Sequence, residues 1–283
     1  MGLEVEVVAE TNKFDVIVIG GGIAGMTAAA AVQQGGLKSC FLDKDTPGGK
    51  LLRIEQIHNS QQFENMPGAS VAQEYMNYVT DQVKAHYSWG NVKSIRTKND
   101  KFYLFTEDGQ TWEAKAIILA TGTVVKKLNV PGEDKYLNHG LSYCIMCDSS
   151  LTKDKDVVVI GTSSHLNLLS QAKSVTQLAA NEVKAIEGDS SVQAVIKTDG
   201  TSVACQYVFI ENGFETDLSF LPSDIAINDK KEIIVDEHMA NTFPGVFACG
   251  DCINQSIKLI DKAIQQANIA ADSAVKYVNS RNW

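Results

Sequence analysis

Near its amino terminus the chain reads Phe14-Asp15-Val16-Ile17-Val18-Ile19-Gly20-Gly21-Gly22-Ile23-Ala24-Gly25. The first six residues are almost all apolar, which is typical of a parallel strand buried on both faces. The alanine-rich segment Met26 to Gln34 follows the glycines and predicts a helix. A G-x-G-x-x-G pattern between a strand and a helix lets the backbone approach a pyrophosphate, whose charge lies at the helix N-terminus. The segment therefore predicts a Rossmann-like, dinucleotide-binding unit.

A second predicted strand follows the helix and ends in an acid. It runs from Lys38 to Leu42, and Asp43 comes 18 residues after Gly25. A carboxylate at this place holds the ribose hydroxyls of an adenosine in dinucleotide-binding units. A tight glycine turn that binds nothing is the alternative. The strand, the glycines, the helix and the acid together favour a bound dinucleotide.

Further elements of the same unit follow. We predict an amphipathic helix and then three strands, the last of which ends at Ala120-Thr121-Gly122: Val71 to His86, Val92 to Ile95, Lys101 to Thr106 and Thr111 to Leu119. Near the carboxyl terminus, Thr242 to Asp251 predicts a strand that leads into Gly-Asp, and Lys258 to Val278 predicts an alanine-rich amphipathic helix. Asp251 is then placed to hydrogen-bond a polyol chain at the N-terminal side of that helix.

The same architecture recurs later in a shorter form. Asp156 to Gly161 repeats the pattern of Asp15 to Gly20, and Val183 to Ile186 repeats the pattern of Val92 to Ile95. In the first copy 72 residues separate Gly20 from Val92, whereas in the second copy only 22 separate Gly161 from Val183. About 50 residues of the architecture are therefore absent from the second copy.

The second copy has also lost the groups that hold a nucleotide. Its loop reads Gly161-Thr162-Ser163-Ser164-His165-Leu166, which keeps one glycine of three. Residues 161–212 contain no arginine to bind a ribose 2′-phosphate. No acid follows the predicted strand Val175 to Leu178 at the usual offset for a 2′-hydroxyl, unless Glu182 serves. The pattern predicts that this copy does not bind a nicotinamide cofactor.

A Cys-x-x-Cys motif precedes the second copy, in the segment Tyr143-Cys144-Ile145-Met146-Cys147-Asp148. Two thiols at the start of a predicted helix can close into a small disulfide ring and reopen. The helix N-terminus stabilises a thiolate, which is the species that attacks a disulfide. Asp148 is placed to give a proton to the departing sulfur if burial raises its pKa. Zinc sites use the same spacing, so the motif alone leaves a metal site open.

Composition excludes several classes of protein. The chain has 283 residues, a net charge of −9 and only three arginines, which gives no support to nucleic-acid binding. No run approaches the ~18 apolar residues of a membrane span. The amino-terminal segment is acidic and lacks the basic and apolar regions of a signal peptide. Six cysteines without a secretory signal indicate a reducing, cytoplasmic location and catalytic rather than structural thiols.

Together these motifs resemble the low-molecular-weight, bacterial-type thioredoxin reductases over nearly the whole chain. The matching pieces are Gly20 to Gly25, Asp43, Pro47-Gly48-Gly49, Asn65-Met66-Pro67-Gly68, Ala120-Thr121-Gly122, Tyr143 to Asp148, and Val246 to Asp251. The resemblance implies an α/β fold with two Rossmann-like, three-layer ββα domains. It implies a discontinuous FAD-binding domain at residues 1–122 and 213–283, and an inserted, truncated disulfide domain at residues 123–212.

The resemblance also implies roles for individual residues. Cys147 faces the flavin, Cys144 exchanges with the protein substrate, and Asp148 is the acid. The residues expected at the flavin are Gly20, Gly22, Ile23, Ala24, Gly25, Asp43, Lys44, Gly49, Lys50, Leu51, Asn65, Ala120, Thr121, Gly122, Gly250, Asp251, Lys262 and Ala263. No metal site is expected. Thioredoxin is the implied substrate, and a homodimer is the implied assembly.

The departures from that family point to a branch within it. The second glycine loop and the arginine-rich NADP motif are missing, and the family's Arg-Gln-Ala in the last helix becomes Asp261-Lys262-Ala263. This resembles the pyridine-nucleotide-independent branch, in which reduced ferredoxin supplies the electrons. Ferredoxins are usually acidic, as this chain is, so docking requires a local basic patch. The candidates for that patch are Lys44, Lys50, Arg53, Lys126 and Lys127.

Other functions remain open at this point. A flavin-dependent thiol oxidase on the same fold also needs no NADPH. An NADPH-dependent reductase with a degenerate site is a second alternative, and a flavin-binding interaction module is a third. Cys249 and Cys252 form another Cys-x-x-Cys pair, which is a buried pair, a second redox pair or half of a zinc site. Trp283 is a candidate to stack on the flavin ring.

Overall fold

The secondary structure is that of an α/β protein. The computed structural model describes residues 11–255 and 258–283. In chain order its strands are β1 (Asn12–Ile19), β2 (Ser39–Asp43), β3 (His86–Trp89), β4 (Val92–Lys98), β5 (Lys101–Thr106), β6 (Thr111–Leu119), β7 (Val124–Val125), β8 (Leu141–Ser142), β9 (Asp156–Gly161), β10 (Ser174–Leu178), β11 (Val183–Gly188), β12 (Val192–Lys197), β13 (Ser202–Ala204), β14 (Tyr207–Glu211), β15 (Phe214–Glu215) and β16 (Val246–Ala248). The α-helices are α1 (Ile23–Gln34), α2 (Gly68–Asn77), α3 (Ile145–Asp148) and α4 (Ile260–Asn279).

The chain divides into two compact units. The first contains the described residues up to Thr123 together with Thr216–Trp283, and the second is Val124–Glu215. The boundaries predicted from the sequence, 122/123 and 212/213, lie one and three residues before these. Two Rossmann-like units confirm the predicted fold class.

The first unit is built on a seven-stranded sheet. Its strand order is β3-β2-β1-β6-β5-β4, and the end of β6 also pairs with β16. Strands β1, β2, β3, β6 and β16 pair in parallel, whereas β4, β5 and the start of β6 are antiparallel. Because the carboxyl ends of β1, β2 and β6 lie at one edge, the loops after Ile19, Asp43 and Leu119 meet there.

Helices α1 and α4 pack against each other beside this sheet. Both helices bury small side chains completely or almost completely, namely Ala28 and Ala29 of α1 and Ala267, Ala270, Ala271 and Ala274 of α4. Alanine has no side-chain entropy to lose and lets two helix backbones approach closely. The alanine-rich patterns that predict both helices are therefore also the reason that the helices fit together.

One predicted helix is wrong at its carboxyl end. The segment Val71 to His86 is not a single helix: α2 ends at Asn77, a π-helical turn covers Tyr78–Gln82, and β3 begins at His86. Lys84 has a φ of +66°, which a helix does not accept. Residues His86–Trp89 instead pair in parallel with β2, from Cys40 to Asp43. The apolar residues that are spaced like those of one helix therefore belong to two elements, helix α2 and strand β3.

The second unit is a reduced version of the first. A parallel sheet of order β10-β9-β14-β8 is accompanied by an antiparallel sheet of order β11-β12-β13. In the first unit the long helix α1 connects β1 to β2. In the second unit the corresponding segment between β9 and β10, all of which the structure describes, contains one 3₁₀ turn, Leu166–Leu169. The sheet face that carries Val157, Val159 and Phe209 packs against Ile145 of α3 and Leu169 of that turn. The Cys-x-x-Cys turn therefore lies on the parallel sheet.

Candidate active site

The glycine loop after β1 is a close approach of three backbone segments. Gly20 has a φ of +111°, and a Cβ atom there would lie 2.3 Å from the Ala120 carbonyl oxygen. A Cβ atom at Gly25 would lie 1.8 Å from the Gly20 carbonyl oxygen. At Gly22, by contrast, an added Cβ meets no atom within 4 Å. Two of the glycines are required by packing, and the third faces open space at the start of α1.

The start of α1 is built to accept a negatively charged group. Its N-cap is Gly22, and no side chain caps the helix. The first intrahelical bond is donated by the Met26 amide to the Gly22 carbonyl, so the amides of Ile23, Ala24 and Gly25 have no partner within the helix. Free amides and the helix dipole both favour an anion at this point. These residues fit the pyrophosphate of a dinucleotide.

Asp43 lies at the same edge of the sheet, after β2. One carboxylate oxygen accepts a hydrogen bond from the Gly21 amide, and the other accepts one from the Asp45 amide at 2.8 Å. Burial raises the pKa of Asp43, and the two amide hydrogen bonds lower it in part. The carboxylate is thus held against the glycine loop, which is where a ribose hydroxyl is expected.

Two more predicted segments meet the glycine loop. A Cβ atom at Gly49 would lie 3.3 Å from the Gly22 Cα atom, and one at Gly250 would lie 2.9 Å from the Ala24 Cβ atom. The Lys50 ammonium pairs with the Asp251 carboxylate at 2.7 Å. These contacts bring residues about 200 positions apart in the chain to the same place.

Lys50 also donates to the Thr123 hydroxyl at 2.8 Å, so the segment after β6 belongs to the same cluster. Ala120 is buried, and Gly122 has a φ of +63° with no atom within 4 Å of an added Cβ. One further residue of this cluster lies outside the motifs that predict the site. Gln266 of α4 is buried and accepts a hydrogen bond from the Gly250 amide at 3.0 Å. A lone glutamine on the buried, alanine-rich face of α4 is the feature that identifies it.

The remaining predicted flavin residues have varied surroundings. Leu51 is buried in a small apolar cluster with Ile57, Phe63 and Val71. Asn65 has a φ of +63°, and its amide donates to the Ile57 carbonyl at 2.7 Å. Lys44 is exposed, and its carbonyl accepts a hydrogen bond from the Trp89 indole.

In α4, Ala263 is buried and Lys262 is exposed, with its ammonium hydrogen-bonded to Gln265 at 3.1 Å. Asp261, which departs from the family's arginine, accepts hydrogen bonds from the Ser60 hydroxyl at 2.6 Å and the Gln61 amide at 3.2 Å. The departure therefore has a structural role, because it ties the loop at Ser60 to the start of α4.

The redox turn, residues Ser142–Asp148, lies in the second unit. Cys144 and Cys147 form a disulfide with a Cα–Cα distance of 5.3 Å. Helix α3 is a single turn, so the dipole of a long helix is not available to these sulfurs. The stabilising group is local instead: the Cys147 amide donates to the Cys144 Sγ atom at 3.2 Å. Cys144 is the N-cap of α3, and its sulfur already occupies the place of a hydrogen-bond acceptor.

Asp148 is connected to Cys144 through a serine that the sequence analysis did not single out. The Ser142 hydroxyl donates to an Asp148 carboxylate oxygen at 2.6 Å and accepts a hydrogen bond from the Cys144 amide at 3.1 Å. Ser142 is buried. The three groups form a short chain that orients the carboxylate of Asp148 relative to the disulfide.

A second carboxylate also reaches the redox turn. Glu211 is the last residue of β14, and its Oε1 atom accepts a hydrogen bond from the Ile145 amide at 3.2 Å. Burial raises the pKa of Glu211, while the Ile145 amide, the Ser163 hydroxyl and the charge of His165 lower it in part. No sequence motif contains Glu211, so the sequence alone does not point to this residue.

The other four cysteines are buried thiols. Burial raises the pKa of each of them, to about 12 for Cys205. Cys252 lies next to the Cys249 carbonyl, and both side chains are fully inaccessible to solvent. Within the described ranges no three His, Cys, Asp or Glu side chains form a group that could hold a metal ion. The zinc alternative therefore finds no support in this part of the chain.

Trp283 is not at the flavin site of its own chain. Its indole N–H donates to the Val278 carbonyl at 2.7 Å, and its ring lies 5.8 Å from the Lys115 ammonium. Lys115 pairs with Asp15 about midway along β6 and β1. Gln266 of α4 holds the Gly250 amide beside the glycine loop, whereas Val278 lies twelve residues, or about 18 Å, further along the same helix. The stacking alternative is wrong for this position.

The candidate docking lysines and arginine are divided between the two units. Lys44, Lys50 and Arg53 belong to the first unit, whereas Lys126 and Lys127 belong to the second. All five are exposed, and Lys127 pairs with Asp134 at 2.5 Å. No helix of the described residues combines the length and apolar composition that a membrane span requires.

Comparison with known proteins agrees with this site. The sequence matches the family described as pyridine nucleotide-disulphide oxidoreductase over residues 14–165 and 163–267. The chain belongs to this family. Thioredoxin reductase of Listeria innocua is 29% identical over 307 aligned positions, which cover 95% of each chain. The oxidoreductase fold predicted from the motifs is thus confirmed at the family level.

Solved structures of this family resemble the chain over almost its full length. Thioredoxin reductase from Streptococcus pyogenes has a TM-score of 0.87 at 26% identity and covers 96% of this chain and 100% of its own. A ferredoxin-flavin thioredoxin reductase from Clostridium acetobutylicum has a TM-score of 0.59 at 24% identity, covering 95% of this chain and 99% of its own. The second likeness concerns the fold alone. The chain therefore has the fold of a thioredoxin reductase-like disulfide oxidoreductase.

Proposed function

We propose that the protein is an FAD-dependent reductase that passes electrons to the Cys144–Cys147 disulfide and on to thioredoxin. We propose further that its donor is a reduced ferredoxin and not NADPH. One observation carries the proposal: an intact redox turn lies in a unit whose own nucleotide loop has been reduced to a single 3₁₀ turn. A cytoplasmic homodimer is part of the proposal, on the basis of resemblance.

The loss of NADPH is supported by a comparison of the two glycine loops. In the second unit, a Cβ atom at Gly161 would lie 2.3 Å from the Glu211 carbonyl oxygen. In the first unit, a Cβ atom at Gly20 would lie 2.3 Å from the Ala120 carbonyl oxygen. Glu211 therefore occupies the place in the second unit that Ala120 occupies in the first. An acid at this place repels a pyrophosphate, and the short turn after β9 provides no long helix whose dipole could offset the repulsion.

FAD is proposed for the first unit because the residues there fit it. The open space at Gly22, the uncapped amides of α1 and the carboxylate of Asp43 suit a pyrophosphate and a ribose. The Asp251 carboxylate and the Lys50 ammonium can hydrogen-bond the hydroxyls of the polyol chain of FAD. Bound FAD accepts electrons singly and delivers them in pairs, so it connects a one-electron donor to a two-electron disulfide.

At the redox turn the chemistry is thiol–disulfide exchange. Two electrons break the Cys144–Cys147 bond and leave two sulfurs, at least one of them as a thiolate. The Cys144 thiolate attacks the disulfide of thioredoxin and forms a mixed disulfide, and the departing sulfur takes up a proton. Cys147 then attacks Cys144, which restores the ring and releases reduced thioredoxin. Asp148, oriented by Ser142, is the proposed proton donor.

The test offers three donors separately to the purified yellow protein under argon. We expect the flavin absorbance band to disappear with reduced ferredoxin and to persist with NADPH or NADH. Bleaching by NADPH at a rate typical of turnover would contradict the proposed donor. A second candidate is a thiol oxidase, since it shares the missing NADPH site. Photoreduced protein that reoxidises within seconds in air, and that does not reduce thioredoxin, would favour the oxidase.

A further inference from the structure

Glu211 contacts the redox turn although it lies 66 residues from Ile145 in the chain. Its Oε1 atom accepts the hydrogen bond of the Ile145 amide, which is the first amide of α3 after the N-cap Cys144. The Cys144 sulfur accepts a hydrogen bond from the Cys147 amide. A carboxylate and a sulfur thus share the amides of one short turn.

Both effects of this arrangement act in the same direction. An Ile145 amide that is bonded to a carboxylate contributes less positive potential at the neighbouring Cys144 sulfur than an amide without this partner. When ionised, the Glu211 carboxylate also places a negative charge beside a Cys144 thiolate, and like charges disfavour ionisation. A thiolate that is less stable makes the reduced, dithiol form less stable relative to the disulfide, which lowers the reduction potential of the pair.

We propose that Glu211 is a positioning residue that keeps the Cys144–Cys147 pair strongly reducing. The inference rests on the proposed function, because it assumes that this disulfide is reduced and reoxidised in turnover. It adds a residue that touches neither substrate nor cofactor and acts through the Ile145 amide. In the first unit the equivalent place is held by Ala120, which has no carboxylate.

The neighbouring groups distinguish Glu211 from the proposed acid. Asp148 faces the turn through Ser142, and burial together with the charge of Asp148 raises the pKa of the buried Tyr207. The Ser163 hydroxyl hydrogen-bonds Glu211 from the remnant of the second nucleotide loop, and the charge of His165 acts on Glu211 from the same segment. Because these are separate contacts, a change at Glu211 leaves the hydrogen bond between Ser142 and Asp148 in place.

The test is a reduction potential measured without any physiological donor. The flavin-loaded protein is equilibrated at pH 7 with mixtures of reduced and oxidised dithiothreitol. Each enzyme disulfide that opens takes two electrons, and the dithiothreitol sulfurs close into a ring. The free thiols are then trapped by a maleimide and counted by mass. The pKa of Cys144 is measured in parallel from the pH dependence of its alkylation.

Glu211→Gln keeps the size of the side chain and an oxygen for the Ile145 amide but removes the charge. We expect the pKa of Cys144 to fall by about one unit. We expect the equilibrium with dithiothreitol to move toward the dithiol by up to about tenfold, or about 30 mV for a two-electron couple, with the full factor reached where Cys144 is ionised in the reduced protein. Glu211→Ala, which also frees the amide, should shift it at least as far. Glu187→Gln, an exposed acid on β11, is the matched control and should shift neither quantity.

Two results would overturn the inference in distinguishable ways. If Glu211→Gln matches the wild type in potential and in the pKa of Cys144, Glu211 is a structural anchor only and the inference is wrong, whatever happens to thermal stability. If the wild-type disulfide stays closed even after the bound flavin has been photoreduced under argon, the proposed function fails and the inference fails with it.

Discussion

At the scale of single residues, the two cysteines of the redox turn are not equivalent. The Cys144 sulfur caps α3 and accepts the Cys147 amide, whereas Cys147 lies within the turn. This asymmetry agrees with the proposed order, in which Cys144 meets the protein substrate and Cys147 faces the flavin. A sulfur that already accepts an amide hydrogen bond is prepared to carry negative charge.

Single serine variants test that order. We expect both Cys144→Ser and Cys147→Ser to reduce thioredoxin at background rates. Cys144→Ser should leave a Cys147 thiolate against the flavin and produce a long-wavelength absorbance band under argon, because a thiolate donates charge to an adjacent ring. Cys147→Ser should lack this band. A band in Cys147→Ser and none in Cys144→Ser would reverse the two roles.

The buried thiols lead to a second prediction at this scale. Because burial raises the pKa of Cys40, Cys205, Cys249 and Cys252, these groups stay protonated well above neutral pH and are poor nucleophiles. With a pKa of about 12, Cys205 is a thiolate in about one molecule in 10⁴ at pH 8.

Iodoacetamide at pH 8 should therefore label two of the six cysteines in the reduced, folded protein and all six after unfolding. Intact mass and peptide mapping give the count and the positions. Labelling of Cys249 or Cys252 in the folded protein would contradict this prediction and favour a second redox pair.

At the scale of elements, glycine has two different roles in the β1–α1 loop: one position is required by packing and another leaves space for a ligand. Gly25 makes room for the Gly20 carbonyl, so a side chain there disturbs the fold itself. Gly22 has an ordinary φ of −69° and faces open space, so a side chain there meets only what binds in that space. A matched pair of alanine variants can tell these roles apart.

We expect Gly22→Ala to leave the melting temperature of the flavin-free protein unchanged and to weaken FAD binding at least about tenfold, or about 1.4 kcal/mol. Gly25→Ala should destabilise the flavin-free protein by about 3 kcal/mol, because its methyl group overlaps a carbonyl oxygen that a rigid loop cannot move. Thermal unfolding and flavin fluorescence titration measure the two effects. Normal FAD affinity in Gly22→Ala would place the cofactor elsewhere.

At the scale of the whole molecule, the second unit is inserted at a point where the chain leaves and returns side by side. Strands β7 and β15 pair in antiparallel fashion, so Val124 and Glu215 are neighbours. The main core of the first unit, which includes Val16, Ile117 and Ala270, contains no residue of the insert. Each unit therefore has its own hydrophobic core, which is the requirement for independent folding.

We expect a variant in which Gly-Ser-Gly replaces residues 124–215 to fold and to bind FAD. Its circular dichroism should show a cooperative thermal transition, and the purified protein should be yellow. It should not reduce thioredoxin, because the redox turn has been removed. An unfolded or colourless product, with normal expression of the full chain as the control, would mean that the first unit depends on the second.

The sequence by itself determined the features that depend on neighbouring positions. The glycine loop, the acid after β2, the shortened second copy and the Cys-x-x-Cys motif were all readable, because each follows from spacing over a few residues. The end of the helix after Val71 was not, since the pairing of His86 with Cys40 in a parallel sheet competes with a local helical period.

Only the tertiary structure decided which distant side chains meet. Ser142 joins Cys144 to Asp148, Glu211 reaches Ile145 from the end of β14, and Gln266 holds the Gly250 amide from α4. A short-range pattern cannot specify such partners, because any polar residue at the right strand end or helix face satisfies it equally well. The choice is made by sheet register and helix packing, which are properties of the folded chain as a whole.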